Sequence, residues 1–523
     1  MRSYIIQERI EEHCRQHPAK TMVIDDDGAM TYGEFASEAN SLACALQQLG
    51  VNSGQHVGLV LHNSRRFVVS YYAAIFAGAV PALISPALVG RELEHAVNLA
   101  DVKAVIVDDG CETKFDEVRP RLVTESFISV GKAGKNEWIA YDDLVSIGGQ
   151  PLSHSWSPED VAAIHFTSGT TGTPKAVMLT NYNIIRTSEL KAQTCRSRPE
   201  SIMHSGPPLY HVAGANSVMN VGLTVLGATL VLSKTFDARK TAQMIAQYRV
   251  TFTWMVPPMF VWLLEVLEVE HFDLSSLESC LYAAMPMPDD VVVRLKRILP
   301  QASLCYSYGQ TENSAFATCL VDEFVWSKVG SVGRPQPFTE IRVIDSQGRD
   351  APQRTEGQIL VKCPGIMHGY YKDQEATCEV LCDGWLRSGD MGYLDEDGFL
   401  YVVGRQTEMI NRGGVKIAPA EVEEILLQHP AVAQVAVVGY PHRYLGEGVK
   451  AVVVLKEKSS VQPEDLAEFV KQRMAHYKVP KIFEFRADLP RNSLGKVQKH
   501  LLRQETSSSQ LQLGKIRSQK GTE

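Results

Sequence analysis

The most informative stretch of this sequence is IHFTSGTTGTPK, residues 164–175. It predicts a short apolar strand that ends in a run of hydroxyl side chains, two glycines and Lys175. Glycines allow backbone N–H groups to approach an anion, hydroxyls add hydrogen-bond donors, and a lysine adds positive charge. A polar hairpin turn would have the same Ser, Thr and Gly content, but the lysine after a proline favours a phosphate-binding loop.

Helical and strand patterns alternate on both sides of this stretch. We predict strands at residues 57–61, 104–108, 201–206, 229–232 and 251–256, and helices at 40–49, 92–99, 238–248 and around 212–226. Such alternation is typical of parallel sheets that are covered by helices on both faces. The sequence therefore predicts an α/β fold in which a large N-terminal domain contains two α/β sheet subdomains.

The pattern changes beyond about residue 330. Short β-type segments at 340–344, 357–362 and 399–403 lie between Gly, Pro and Asp turns and predict a small β-barrel-like subdomain. After residue 404, helices at 419–428 and 463–474 and strands at 432–440, 450–455 and 482–485 predict a small α+β domain. The last residues lack periodicity, which predicts a disordered tail. The expected units are residues 1–404, 405–503 and 504–523.

The bulk composition is that of a globular protein with more than one domain. The 523 residues are 45% apolar and 21% charged, and the formal net charge is -8. No basic stripe predicts nucleic-acid binding, and no Lys/Arg cluster predicts binding to an anionic membrane. The ten cysteines include no C-x-x-C pair, so we expect reduced thiols rather than a zinc site or a disulfide framework.

No segment predicts a signal peptide or a membrane span. Charged residues interrupt every apolar pair of the N-terminal segment, and the longest apolar run, residues 67–88, contains Ser70, Gly78 and Pro81. We interpret that run as a buried helix at 66–76 followed by a strand at 80–84. These features predict a cytoplasmic protein without an integral membrane segment.

Four further motifs follow residues 164–175 in the chain. They are YGQTE at 308–312, WLRSGD at 385–390, GRQTEMINRGGVKIAPAEVE at 404–423 and PRNSLGK at 490–496. No Gly-Lys-Ser/Thr ends the first stretch, and no G-x-G-x-x-G opens a helix after a strand, which disfavours P-loop NTPases and dinucleotide-dependent oxidoreductases.

The five motifs, in this order, resemble the signatures of the adenylate-forming family, which comprises acyl- and aryl-CoA synthetases, nonribosomal-peptide adenylation domains and beetle luciferases. The resemblance covers residues 20–503, and the pattern is most similar to that of the acyl-CoA synthetases. Two positions depart from the family pattern. Ala176 stands where the family has glycine, and Thr407 stands where it usually has Asp or Lys.

The resemblance implies a nucleotide site. Its phosphate loop would comprise Thr167, Ser168, Gly169, Thr170, Thr171, Gly172 and Lys175. Its remaining ATP- or AMP-binding residues would be Tyr308, Gly309, Gln310, Thr311, Asp390 and Arg405. In the family, the tyrosine stacks on adenine, the threonine binds a phosphate oxygen and the aspartate accepts hydrogen bonds from both ribose hydroxyls. Glu312 would help to hold Mg²⁺ against ATP, which suits the preference of Mg²⁺ for carboxylate and phosphate oxygens.

The resemblance also implies a mobile C-terminal domain. Thr407 would be its hinge, and Gly414 would let the pantetheine arm of CoA pass, because a Cβ would narrow that tunnel. Lys496 would be the catalytic lysine of adenylation, whose ammonium bridges the attacking carboxylate and the α-phosphate.

The activity that the resemblance implies is a two-step ligation with ATP, Mg²⁺ and CoA. An acid forms an acyl adenylate and pyrophosphate, and CoA then takes the acyl group and releases AMP. The acyl pocket would be formed by His211, Val212, Gly214, Met255, Val256 and Ala284. Residues 213–217, AGANS, lack the aspartate with which amino-acid-activating relatives hold an α-amino group, so we expect an aliphatic, fatty or aromatic acid.

Three alternatives share these motifs. The first is an acyl-AMP ligase that loads the phosphopantetheine of an acyl carrier protein, and the second is a luciferase-like oxygenase. The third is a catalytically inactive nucleotide-binding scaffold. The presence of Lys175, Glu312, Asp390, Arg405 and Lys496 argues against the scaffold, which has no need of all five.

Overall fold

The computed structural model describes residues 3–131, 138–167, 174–406, 408–412, 415–442, 446–474, 476–491 and 497–505. Its strands before the β-rich subdomain are β1 (Thr21–Asp25), β2 (Gly28–Thr31), β3 (His56–Val60), β4 (Val80–Leu83), β5 (Val102–Val107), β6 (Ser126–Ser129), β7 (Ile139–Ala140), β8 (Val161–Thr167), β9 (Lys175–Thr180), β10 (Ile202–Ser205), β11 (Thr229–Val231), β12 (Phe252–Met255), β13 (Ser279–Ala283), β14 (Ser303–Tyr308), β15 (Thr318–Val321) and β16 (Arg334–Pro335). The later strands are β17 (Glu340–Ile344), β18 (Gly357–Lys362), β19 (Gly369–Tyr370), β20 (Leu381–Cys382), β21 (Trp385–Leu394), β22 (Leu400–Arg405), β23 (Ile410–Arg412), β24 (Val415–Ile417), β25 (Val432–His442), β26 (Gly446–Leu455) and β27 (Ile482–Phe485).

The helices lie between these strands in the alternation that the sequence predicts. They are α1 (Ile6–Gln16), α2 (Tyr32–Gln48), α3 (Arg65–Phe76), α4 (Gly90–Leu99), α5 (Thr113–Asp116), α6 (Tyr141–Ser146), α7 (Asn181–Thr194), α8 (Val212–Gly214), α9 (Ala238–Tyr248), α10 (Pro257–Val269), α11 (Asp289–Ile298), α12 (Gln374–Val380), α13 (Pro419–Leu427) and α14 (Pro463–Lys471). A π-helix, Ala215–Leu226, continues α8, and short 3₁₀ turns include Thr311–Asn313.

Two large sheets form the N-terminal domain. Sheet 1 has the order β19-β9-β8-β4-β3-β5-β6-β7, and its strands from β8 to β7 are parallel. Sheet 2 has the order β16-β15-β14-β13-β12-β10-β11-β1-β2, with a parallel centre from β14 to β1 and antiparallel edges. Parallel strands with intervening helices are buried on both faces. The predicted pair of α/β sheet subdomains is therefore confirmed.

The apolar run at residues 67–88 belongs to the core of this domain. Every residue from 67 to 76 of α3 is buried, as is all of β4. A helix that is apolar on all sides packs against protein on all sides. In the described ranges, no helix combines the length and the apolar character that a membrane crossing requires.

Two smaller sheets follow in the chain. Sheet 3 is antiparallel and has the order β17-β18-β21-β20, with β22 paired to β21, which confirms the predicted β-rich subdomain. Sheet 4 has the order β24-β23-β26-β25, with β27 parallel to β26, and it packs with α13 and α14 around a separate apolar core. The chain thus has a large N-terminal domain and a small C-terminal α+β domain.

Candidate active site

The two ends of the predicted phosphate loop are adjacent in sheet 1. Thr167 ends β8 and Lys175 begins β9, and the two residues are antiparallel partners. The loop residues Ser168, Gly169, Thr170, Thr171 and Gly172 lie outside the described residues. Ala176, which replaces the family glycine, is buried in β9, and its carbonyl accepts a hydrogen bond of 2.8 Å from the backbone N–H of Tyr371. The methyl group of Ala176 is therefore part of the packed strand.

Lys175 and Glu312 are brought together through Tyr370. Strand β19, which carries Tyr370, pairs with β9, so the tyrosine lies beside the start of that strand. Its ring centroid is 4.8 Å from Lys175 Nζ, and its hydroxyl donates a 2.9 Å hydrogen bond to Glu312 Oε1. Burial raises the pKa of Tyr370, and the nearby Glu312 carboxylate raises it further. Tyr370 therefore remains a neutral donor that fixes one oxygen of Glu312.

The backbone around Thr311 and Glu312 forms a tight turn after β14. Thr311 is buried, Asn313 Oδ1 accepts a 2.8 Å hydrogen bond from the backbone N–H of Gln310, and the N–H of Asn313 donates to the Gln310 carbonyl at 3.0 Å. A Cβ on Gly309 would lie 2.4 Å from the carbonyl carbon of Ala315 and 2.4 Å from the backbone nitrogen of Phe316. Because both atoms belong to the backbone, this position accepts only glycine without a shift of the turn.

Tyr308, Asp390 and Arg405 form a second cluster. The Tyr308 hydroxyl donates a 2.6 Å hydrogen bond to Asp390 Oδ2, and Arg405 Nε lies 2.8 Å from Asp390 Oδ1. Asp390 and Arg405 are cross-strand partners on β21 and β22, and Arg405 also donates to the carbonyl of Ser388 at 3.1 Å. Asp390 is only 5% exposed, so this carboxylate is held in one orientation.

The charges of the two clusters affect each other. Burial raises the pKa of Tyr308 well above its ordinary value, and the Asp390 carboxylate raises it further. Burial lowers the pKa of Arg405, but the charges of Asp390, Tyr308, Glu312 and Glu408 outweigh that effect and raise it overall. Glu312 therefore acts electrostatically on the guanidinium that pairs with Asp390. Lys175, Tyr370 and Glu312 thus form one contacting cluster, and Tyr308, Asp390 and Arg405 form a second.

The predicted acyl-pocket residues follow the carboxyl ends of parallel strands in sheet 2. The chain leaves β10 toward β11 on one side and leaves β12 toward β13 on the other, so β10 and β12 flank a topological switch point. Ligands of open α/β sheets bind in the crevice outside such a point. His211 follows β10, Met255 and Val256 end and follow β12, and Ala284 follows β13. Tyr308 ends the next parallel strand, β14.

The individual acyl-pocket residues differ in burial. Met255 and Val212 are buried, whereas Val256 is half-buried and Ala284 is exposed with a φ of 75°. A non-glycine residue in the left-handed region stores strain, and such strain is concentrated at functional sites. Gly214 is buried and packs against the carbonyl of Pro208, where a Cβ would lie 2.2 Å from the oxygen.

His211 has a structural contact in addition to its predicted role. It is the N-cap of α8, and its Nδ1 accepts a hydrogen bond of 3.2 Å from the backbone N–H of Ala213. Burial lowers the pKa of His211 to about 4, so the imidazole is neutral near pH 7. The loop before it is held by Asn63, which donates to the Pro207 carbonyl at 3.2 Å and accepts from the Leu209 N–H at 2.7 Å.

Comparisons with known proteins agree with this arrangement. A model of the AMP-binding enzyme family matches residues 10–371, and a model of the AMP-binding enzyme C-terminal domain matches residues 421–496. The chain belongs to the AMP-binding enzyme family. The predicted membership of the adenylate-forming superfamily is thus confirmed, together with the fold class.

The relatives of this AMP-binding enzyme include CoA ligases for different acids. A long-chain-fatty-acid–CoA ligase of Bacillus subtilis is 32% identical, over 96% of this chain and 95% of the relative. An indoleacetate–CoA ligase of Aromatoleum aromaticum is 32% identical, over 95% of this chain and 98% of the relative. The crystal structure of an anthranilate CoA ligase in complex with anthranoyl-AMP has a TM-score of 0.88 and 25% identity, and the match covers 97% of this chain and 98% of that one. These comparisons support a carboxylate–CoA ligase activity.

Adenylate-forming CoA ligases use ATP, Mg²⁺ and CoA, and solved relatives hold ATP or an acyl adenylate. The side chains of the candidate site in this AMP-binding enzyme suit the binding of Mg²⁺ together with ATP. Among the described residues, no cluster of three or more His, Cys, Asp and Glu side chains could hold a metal by itself. A single carboxylate beside a phosphate site is the arrangement in which Mg²⁺ takes its other ligands from substrate phosphates and water. Glu312, fixed at one oxygen by Tyr370, is such a carboxylate.

Three single residues and one loop segment of the predicted site fall outside the described ranges. Lys496, Thr407, Gly414 and the phosphate-loop residues 168–172 lie outside the described residues, and the roles assigned to them stay predictions. Conversely, sequence reasoning missed Tyr370. The only local signal is the short apolar segment with Gly369, Tyr370 and Tyr371, which has no period and no charged residue. Its place beside β9 depends on a strand pairing between residues that are almost 200 positions apart.

Proposed function

We propose that this AMP-binding enzyme activates an aliphatic, fatty or aromatic carboxylic acid as its acyl adenylate and transfers the acyl group to CoA, releasing AMP and pyrophosphate. The observation that carries the proposal is a pair of clusters of contacting side chains, one of Lys175 with Tyr370 and Glu312 and the other of Tyr308 with Asp390 and Arg405. They contain groups suited to ribose, phosphate and metal, and Tyr308 ends a parallel strand of sheet 2, the sheet whose switch point is where we expect the acid.

The ribose contact follows from the chemistry of Asp390. An ionised carboxylate only accepts hydrogen bonds, and the two oxygens of Asp390 are oriented by Tyr308 and Arg405. A carboxylate acceptor is the group that the two vicinal hydroxyls of a ribose require. Arg405 pairs with this carboxylate and would add a cation near the α-phosphate, at which negative charge develops.

The phosphate contacts follow from Lys175, Thr311 and Glu312. Lys175 offers a cation that stands over a tyrosine ring instead of being paired with an acid in a described ion pair. When Mg²⁺ is bound, it neutralises phosphate charge and helps pyrophosphate to leave. Glu312 would hold it, and Thr311 would donate to a phosphate oxygen. Reactions at phosphorus depend mainly on such positioning and charge stabilisation.

The first bond change is attack of the substrate carboxylate oxygen on the α-phosphorus as the bond to pyrophosphate breaks. We assign the bridging cation of this step to Lys496. In the second step, the thiolate of CoA attacks the acyl carbon, and the acyl–phosphate bond breaks to release AMP. Movement of the C-terminal domain between the steps would exchange Lys496 for Gly414 near the acyl group.

We expect a substrate acid whose carbon chain or ring is apolar. The α8 and π-helix segment, residues 212–226, contains no charged residue. Its side chains Asn216, Asn220 and Thr224 form hydrogen bonds with one another and with core tyrosines. Nothing in this segment suits the ammonium group of an amino acid. His211, which is neutral near pH 7, likewise adds no charge to the predicted acyl pocket.

A panel of acids in a pyrophosphate-exchange assay tests this proposal. Straight-chain fatty acids of increasing length, aryl acids and amino acids are compared with and without CoA, and thioesters are identified by mass spectrometry. We expect acid-dependent exchange without CoA and acyl-CoA with it. Exchange without any CoA thioester would instead favour a carrier-protein acceptor. If no acid supports exchange above the level of Lys496→Ala, the proposed activity is wrong.

A further inference from the structure

The most unusual buried side chain near the candidate site is Lys191 of α7. It is 1% exposed, its Nζ donates a 2.9 Å hydrogen bond to the carbonyl of Ser314, and it lies 5.5 Å from the ring centroid of Phe316. The structure shows no ion pair between this ammonium and a carboxylate within the described part of the chain. Lysine is almost never fully buried without a partner, because desolvation of its charge is costly. Burial lowers the pKa of Lys191 to about 7.

The group that Lys191 contacts is a strained turn. Ser314 and Ala315 both adopt the left-handed conformation, with φ values of 56° and 58°. Non-glycine residues persist there only where the surroundings enforce it. Besides the bond from Lys191, the Ser314 hydroxyl donates to the carbonyl of Gly365 at 2.9 Å. The turn is therefore attached to α7 on one side and to the segment before β19 on the other.

The strained turn directly follows the residues that we assign to phosphate and metal. Thr311 and Glu312 form its first half, and the carbonyl of Glu312 accepts a 2.8 Å hydrogen bond from the N–H of Met367. Helix α7 begins where β9 ends, and β9 starts at Lys175. Lys191 thus connects the structural unit that carries Lys175 to the turn that carries Glu312. A methionine would fill the same volume without the desolvation cost, so packing alone does not explain the amine.

We propose that Lys191 is a positioning residue for adenylation, which holds the turn of residues 311–316 so that Thr311 and Glu312 meet the nucleotide phosphates and Mg²⁺. The inference rests on the proposed function, because it assigns a task within the first half-reaction. Lys191 does not touch the substrate and acts through the Ser314 carbonyl. The thioester-forming half-reaction does not require it.

The test is Lys191→Met, which keeps the volume and removes the donor, with Leu190→Met as the matched control on the same helix. We expect kcat/KM for MgATP in pyrophosphate exchange to fall by about 10-fold or more. The Mg²⁺ concentration for half-maximal exchange should rise, and thioester formation from supplied acyl adenylate should stay within about twofold of wild type. Lys191→Gln, which keeps a donor on a shorter side chain, should recover part of the loss.

Two results would overturn the inference. One is a Lys191→Met variant whose pyrophosphate exchange depends on the MgATP and Mg²⁺ concentrations in the same way as that of the wild type. The other is an equal loss of both half-reactions together with a lowered melting temperature, which would mean that Lys191 only supports the fold. If Lys191→Met does not fold, the Lys191→Gln variant decides by the same two half-reactions. Failure of the wild-type protein to catalyse exchange with any acid would reject the proposed function instead.

Discussion

Asp390→Asn tests the proposed nucleotide site most directly, because the substitution keeps the shape of the side chain, removes its charge and replaces one acceptor oxygen by an amide donor. In the wild type, Asp390 Oδ1 faces Arg405 Nε at 2.8 Å and Oδ2 accepts from Tyr308 at 2.6 Å. The side chain of Asp390 is 7% exposed and that of Arg405 is 29% exposed. Breaking a buried ion pair costs about 3–5 kcal/mol. Because Arg405 keeps partial access to water, we expect a smaller loss of stability, about 2–3 kcal/mol.

The effect on ATP should exceed what the loss of stability explains. A hydrogen bond to a charged group contributes about 1.5–3 kcal/mol, and 1.4 kcal/mol corresponds to a factor of about 10 in binding. We therefore expect the KM for ATP in pyrophosphate exchange to rise by about 10- to 150-fold. The matched control is Asp395→Asn. Asp395 follows the same strand, roughly 16 Å further along, and forms a 2.7 Å ion pair with Lys328 at only 2% exposure. It should lose similar stability but keep the wild-type KM.

The decisive comparison uses 2′-deoxy-ATP. If Asp390 accepts a hydrogen bond from the 2′-hydroxyl, the wild type should prefer ATP over 2′-deoxy-ATP, and Asp390→Asn should lose most of that preference, as a double-mutant cycle measures. An unchanged preference in the variant would refute the assignment of Asp390 to the ribose. If the KM for ATP changes little while the expected loss of stability is observed, the Asp390 carboxylate serves only the ion pair with Arg405.

Four further substitutions test other parts of the site and its surroundings. Gly309→Ala should reduce exchange by at least about 10-fold and lower the melting temperature, because relief of the overlap with Ala315 costs about 1–3 kcal/mol; unchanged exchange kinetics would contradict this. Below pH 7, Lys191→Met should be more stable than wild type, because the buried ammonium of the wild type is destabilising while it is protonated. The difference in stability should decrease as the pH rises from about 7, the pKa of Lys191 in the folded protein, to 10.5, its ordinary pKa in the unfolded chain. If Lys191 titrated normally, denaturant titrations across this range would show a constant difference. Lys496→Ala should abolish exchange while largely keeping thioester formation from supplied acyl adenylate, and Gly414→Leu should do the reverse, as separate assays of the two half-reactions will show.

Local sequence signals predicted the secondary structure closely. The predicted helix at 238–248 is α9, the strand at 482–485 is β27, and the run at 67–88 separates into α3 and β4 at the predicted Gly-Ala turn. These signals work because hydrophobic periodicity and turn residues act over a few positions. The long π-helix at Ala215–Leu226 was predicted only as an ordinary helix, since its polar residues bond to core tyrosines that local periodicity does not reveal.

The residues of the candidate site also fall into two groups, those that a sequence motif identifies and those that only the fold brings to the site. The motifs identified Tyr308, Glu312, Asp390 and Arg405, because a resemblance at the level of short motifs identifies residue types. Neither Tyr370 nor Lys191 belongs to a motif. Tyr370 reaches Glu312 only because β19 pairs with β9, and Lys191 reaches Ser314 only because α7 packs beneath the turn.

The sequence by itself determined that this chain has a large α/β domain and a small α+β domain, and it supplied the candidate residues of an adenylating site. Only the tertiary structure decided which groups share the site and what fixes them. Asp390 and Arg405 can pair because the register of β21 and β22 places them opposite each other. Glu312 and Lys175 are connected through Tyr370, which is almost 60 residues from Glu312 and almost 200 from Lys175 in sequence. The physical reason is range: propensity and periodicity act between neighbours in sequence, whereas hydrogen bonds, ion pairs and burial depend on distances that only the packed chain defines.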